Sequence, residues 1–152
     1  MGTKFKGSKK EIHALDAFIK LKRAAESVSS RLIADFAKSN VTESQFGVLE
    51  TLHHLGPLCQ KSLGDKILKS TGNITLVIDN LEKRGLVDRV RDTQDRRYIT
   101  IHLTIEGKKL IESMFPDHVK RVTEEFSVLS IDEQETLGNI CRKLGKKDHH
   151  NE

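Results

Sequence analysis

The sequence predicts a mainly α-helical fold with one small β-hairpin, and three observations carry that expectation. Apolar residues recur at spacings of three and four along most of the chain, the period of a helix with one buried face. One stretch, residues 86–103, changes to a period of two. The composition is 36% hydrophobic and 32% charged with no Trp and one Tyr, which suits helices clothed in long charged side chains over a Leu, Ile and Val core. At 152 residues the chain is read as one domain, 1–152, able to bury a core of its own.

Taken in order, residues 12–37 form the first predicted helix, with Ile12, Leu15, Ile19, Val28, Leu32 and Phe36 on one stripe and no Pro or Gly. Such a helix spans about 39 Å, too long for the core of a small monomer, so part of its stripe needs a partner such as a second copy. Thr42 and Gln45 have the spacing of a capping box and open a second helix carrying Phe46, Leu49 and Leu52; Gly56 and Pro57 close it. A short helix follows at residues 60–68. Residues 70–73, Ser-Thr-Gly-Asn, read as a turn, and Ile74, Val77, Ile78 and Leu81 then set the buried face of a fourth helix that stops at Gly85. Leu86, Val87 and Val90 against Ile99, Ile101 and Leu103 make the hairpin, with residues 92–97 as its charged tip. Thr104 caps a fifth helix expected to kink at Pro116. Ser130 and Glu133 form a further capping box, opening a sixth helix with Leu137, Ile140, Cys141 and Leu144 on one face. Residues 146–152 read as a fraying polar tail.

The net charge is +4, and residues 61–97 carry most of it, with nine Lys and Arg against six Asp and Glu. That favours an anionic partner without naming one. No apolar run reaches the length of a membrane span and the N-terminus lacks the pattern of a signal peptide, so the expectation is a cytoplasmic protein without a membrane partner. Cys59 and Cys141 match no zinc or redox spacing, and no metal, cofactor or catalytic constellation is expected.

Two short helices joined by a turn and followed by a charged hairpin make a winged helix-turn-helix, a unit that lays its second helix in the major groove of DNA. The candidate DNA-binding residues are Lys61, Ser62, Ser70, Thr71, Gly72, Asn73, Thr75 and Lys83, with Asn80 on the same outward face, and Arg96 and Arg97 at the hairpin tip. Gly72 in the turn would let backbone amides come close to a phosphate. Flat, permanently charged Arg side chains suit a narrow minor groove.

Residues 62–89 (SLGDKILKSTGNITLVIDNLEKRGLVDR) and 92–107 (DTQDRRYITIHLTIEG), with the helix entries TESQFGVLETL at 42–52 and LSIDEQETL at 129–137, resemble the MarR family of winged-helix transcriptional regulators. The resemblance spans nearly the whole chain. It implies that Asp95 braces the wing through an ion pair, that Arg97 enters the minor groove, and that the helix from Ser70 to Lys83 reads the major groove. It further implies a homodimer built from terminal helices at 12–38 and 104–145 around a DNA-binding lobe at 42–103. A palindromic operator on double-stranded DNA, repression, and a small aromatic or phenolic effector belong to the same implication. Peroxide-sensing members use a cysteine in the first long helix, and residues 12–38 contain none.

Three other readings stand beside this one. A winged helix that binds proteins instead of DNA would show an uncharged or acidic surface, unlike Asn73, Thr75, Lys83 and Arg97. Cys59, ahead of a helix N-terminus and near Lys61, is the candidate for a thiol redox switch, although a free cysteine is commonly just a small buried hydrophobe. A thiol enzyme built on Cys59 would need a base and an orienting group that the sequence does not supply. Cys141 is expected in the core or at a dimer interface, and the histidines in local or solvated roles.

Overall fold

A computed structural model describes residues 4–34, 36–67 and 71–146, Thr71 by its backbone alone. Helix α1, Lys9–Ile33, begins earlier than its apolar stripe suggests, because Ser8 and Glu11 form a capping box that satisfies the first free amides. It ends before Phe36, which instead enters a 3-10 turn, Phe36–Ser39, and stacks on Phe46 at 4.4 Å between ring centres. No residue of α1 is buried, and Phe18 and Leu21 are exposed.

Helix α2, Glu43–Leu55, starts at the capping box of Thr42 and Gln45 and ends at Gly56, whose φ of 77° lies in the region open to glycine. Strand β1, Leu58–Cys59, was not expected: two residues are too short to show a period. Helices α3, Gln60–Ile67, and α4, Thr71–Lys83, follow. Strands β2, Val87–Arg91, and β3, Ile99–Leu103, pair antiparallel with Val87 opposite Leu103 and Arg91 opposite Ile99. β1 pairs with the other edge of β3, Leu58 opposite Ile101, so the hairpin becomes a three-stranded sheet of order β1-β3-β2.

One core holds these pieces together. Val48, Leu49, Leu63, Ile74, Ile78, Leu81, Val87, Ile101 and Ile111 are fully buried, joined by Phe36, Phe46 and Leu52. Each such side chain contributes about 1.5–3 kcal/mol by leaving water. At Gly85, with φ 68°, the chain turns from α4 into β2.

Helix α5, Ile105–Phe126, runs as one helical element through Pro116. The Gly107 amide donates to Thr104 Oγ1 at 3.0 Å, while Thr104 Oγ1 donates to Gly85 O at 2.6 Å. Gly107 itself is required by packing, since a Cβ there would sit 2.0 Å from Leu86 O. Contacts divide the chain into two units, Met1–Pro116 and Asp117–Glu152. The second holds the end of α5 and helix α6, Ile131–Gly145, entered through the Ser130–Glu133 capping box. α6 buries no residue, and Cys141, expected in a core or an interface, is exposed in the single chain. The expected fraying tail from 147 onward lies outside the described residues.

Candidate nucleic-acid interface

Helix α4 starts at Thr71, so Thr71, Gly72 and Asn73 form its first turn and not the turn ahead of it. Ser and Thr ahead of the Gly suggested a break, but the buried stripe of Ile74, Ile78 and Leu81 extends the helix backwards. Gly72 consequently has ordinary helical backbone, in the first helical turn instead of the turn ahead of it, with open space around its Cα. Ser70 lies outside the described residues.

At 100° per residue the outward stripe of α4 comprises Gly72, Asn73, Leu76, Asn80 and Lys83, all exposed. Thr75 is different. It is half-buried, and its hydroxyl accepts a hydrogen bond from Gln60 Nε2 at 2.5 Å, which ties α4 to α3. Lys61 is exposed at the front of α3. Ser62 is half-buried, with its hydroxyl 3.1 Å from Cys59 Sγ. That contact is the main reason the half-buried Cys59 thiol has its pKa below the ordinary value.

α4 also carries two carboxylates, Asp79 and Glu82, which would repel a phosphate backbone if left bare. Arg89 on β2 covers both, at 2.6 Å to Asp79 Oδ1 and 2.5 Å to Glu82 Oε2. Burial opposes the Arg89 charge, yet the hydrogen bonds to Asp79 and Glu82 outweigh it and raise its pKa above the ordinary value. At the end of the helix Arg84 donates to Asn40 O at 2.7 Å and Gln45 Oε1 at 3.3 Å, fixing α4 to the turn before α2. The partners of Arg89, Gln60 and Arg84 lie 7 to 44 positions away on other elements, at spacings that leave no local pattern in the sequence.

The wing tip is held by its own backbone. Asp92 Oδ1 accepts from the amides of Gln94 at 2.7 Å and Asp95 at 2.9 Å, and those two bonds lower the Asp92 pKa. Asp95 takes the Arg97 side chain on both oxygens, at 3.0 and 2.9 Å, and the Arg97 amide at 3.1 Å. The side-chain bond to Arg97 is the larger cause of the lowered Asp95 pKa. Arg97 remains 89% exposed, and Arg96 is exposed beside it, so the loop presents both guanidinium groups outward from a fixed base.

An exposed helix stripe of Asn73, Leu76, Asn80 and Lys83 with the neighbouring acids covered by Arg89, followed by a braced basic loop, is the surface of a winged helix-turn-helix. Among the described residues no helix is long and apolar enough to cross a membrane. The model of the MarR family matches residues 41–99. The chain is 36% identical over 140 residues to the HTH-type transcriptional regulator MhqR of Bacillus subtilis (strain 168), covering 91% of this chain and 97% of that one. A structure described under regulation of DNA binding of Bordetella bronchiseptica BpsR by 6-hydroxynicotinic acid is similar with a TM-score of 0.77 at 26% identity, over 84% of this chain and 91% of that one. NadR in complex with 4-hydroxyphenylacetate is similar with a TM-score of 0.76 at 25% identity, over 97% and 100%. The chain therefore belongs to the MarR family and is a DNA-binding transcriptional regulator of the winged helix-turn-helix type.

Proposed function

We propose that the protein is a cytoplasmic, effector-responsive repressor that works as a homodimer on a palindromic operator. The observation that carries this reading is the pairing of a winged helix-turn-helix with terminal helices that bury nothing by themselves: α1 and α6 have no buried residue, and Leu137, Ile140 and Leu144 of α6 are exposed. An apolar stripe left in water on a helix this regular is what a second copy would cover. In the dimer, α4 of each copy enters successive major grooves, about 34–36 Å apart, while Arg97 reaches the adjoining minor groove. Lys61, Ser62, Ser70, Thr71, Gly72, Asn73, Lys83 and Arg96 supply phosphate and base contacts, with Thr75 orienting the helix from behind.

The effector is a small aromatic acid or phenol. Support comes from the ligands named with BpsR and NadR, and from His53, His54 and Phe115, which cluster where α2 meets α5 with the His54 and Phe115 rings 4.7 Å apart. A ligand that favours one spacing of the two recognition helices changes operator affinity by its differential binding, typically about 1–3 kcal/mol. Selection from random duplexes tests the reading. An inverted repeat is expected, released by 4-hydroxyphenylacetate or 6-hydroxynicotinate; selection of unrelated sequences would contradict it.

A second reading has oxidation of Cys59 as the signal, and the Ser62 contact that lowers its thiol pKa favours it. Operator release by peroxide that persists in Cys59→Ser would rule it out.

A further inference from the structure

We propose that Leu76 reads thymine in the operator through the C5 methyl group, as the apolar specificity determinant of α4. The proposal rests on the DNA-binding reading and adds a residue to it. Ile74, Ile78 and Leu81 of the same helix are at most 1% exposed, whereas Leu76 is 62% exposed. Its direction accounts for the difference. At 100° per residue Gly72, Asn73, Asn80 and Lys83 all fall within about 60° of Leu76, while Ile74, Ile78 and Leu81 lie about 140–160° away. Leu76 thus stands at the centre of the outward stripe, with Asn73 about 4.5 Å before it along the axis and Asn80 about 6 Å after.

An isobutyl group at that position can neither donate nor accept a hydrogen bond. Among the groups that a base pair shows in the major groove, only the thymine methyl offers an apolar partner, and burying Leu76 against it removes both surfaces from water. Asn73 and Asn80 on either side are suited to bidentate contact with adenine, so the stripe combines one apolar reader with two polar ones.

The test uses the full-length protein and duplexes selected by it from a random library, with each thymine replaced in turn by deoxyuridine, which removes the methyl and keeps every hydrogen-bonding group. Wild type is expected to lose about four-fold in affinity at one thymine per half-site, the equivalent of one buried methyl group. Leu76→Ala should be indifferent at that position, Leu76→Met should recover part of the discrimination, and Asn73→Ala should keep it. Leu76 is exposed, so Leu76→Ala is expected to unfold at the wild-type temperature. A selected duplex at which wild type and Leu76→Ala respond alike to every replacement overturns this proposal and leaves the DNA-binding reading standing. Failure to select any duplex overturns both.

Discussion

At the scale of single residues, the wing shows how charge is both held and kept available. The Asp95 carboxylate fixes Arg97 through two side-chain bonds and one amide bond, yet almost all of the Arg97 side chain remains in water. Arg97→Ala is expected to weaken operator binding and to reduce the slope of log affinity against log salt by about one, because one phosphate-neutralising cation is lost; titration by fluorescence anisotropy at several salt concentrations measures both. The pH behaviour of the brace follows from its sign. The folded pKa of Asp95 is lowered, so the brace is fully present above the ordinary carboxylate pKa and is lost as pH falls through the lowered value. In an NMR titration the Arg97 amide should hold its position down to about pH 4 and shift below it, and Asp95→Asn should abolish that shift. Arg96 and Arg97 were legible in the sequence as a basic cluster, and the bracing by Asp95 through family resemblance. The orientation of Thr75 was not, because its hydroxyl is turned inward by Gln60, fifteen positions away.

At the scale of elements, helices with capping boxes or a strict apolar period could be read from the sequence almost to their ends. α2 and α6 begin where Thr42 and Ser130 place them. The first turn of α4 was misplaced because Ser, Thr, Gly and Asn favour caps and turns locally, while burial of Ile74 and its neighbours favours continuing the helix. β1 was invisible because it exists only by pairing with β3, a partner about forty residues later. The attitude of α4 is set by Gln60 from α3, by Arg84 against Asn40 and Gln45, by Arg89 from β2, and by the packing of Thr104 and Gly107 on the Gly85–Leu86 turn that follows the helix. Gly107→Ala would drive a methyl group into Leu86 O and should destabilise the protein by about 1–3 kcal/mol, read as a lowered midpoint in urea unfolding. Arg89→Met leaves Asp79 and Glu82 uncovered on α4, the helix proposed to face DNA. Operator binding should weaken in that variant, and part of the loss should return when Asp79→Asn and Glu82→Gln are added.

At the scale of the whole molecule, the dense core draws on α2, α3, α4, the sheet and the start of α5, while α1 and α6 bury no residue. The sequence pointed to that imbalance through the length of the first helix and the apolar face of the last, and the absence of any buried residue in α1 or α6 agrees with it. Which surfaces meet in an assembly is a property of two chains and cannot be written in the period of one. Leu137→Glu combined with Ile140→Glu places two charges on the exposed apolar face of α6, so sedimentation should shift from dimer to monomer and operator affinity should fall with it. The central claim is that the segment from α3 through the wing is a DNA-binding surface used twice, and hydroxyl-radical footprinting on a selected duplex tests it most directly. The account predicts two protected regions one helical turn apart, about 34–36 Å, with the outer minor-groove protection missing in Arg97→Ala. A single protected region, or a footprint unchanged by Arg97→Ala, would contradict it.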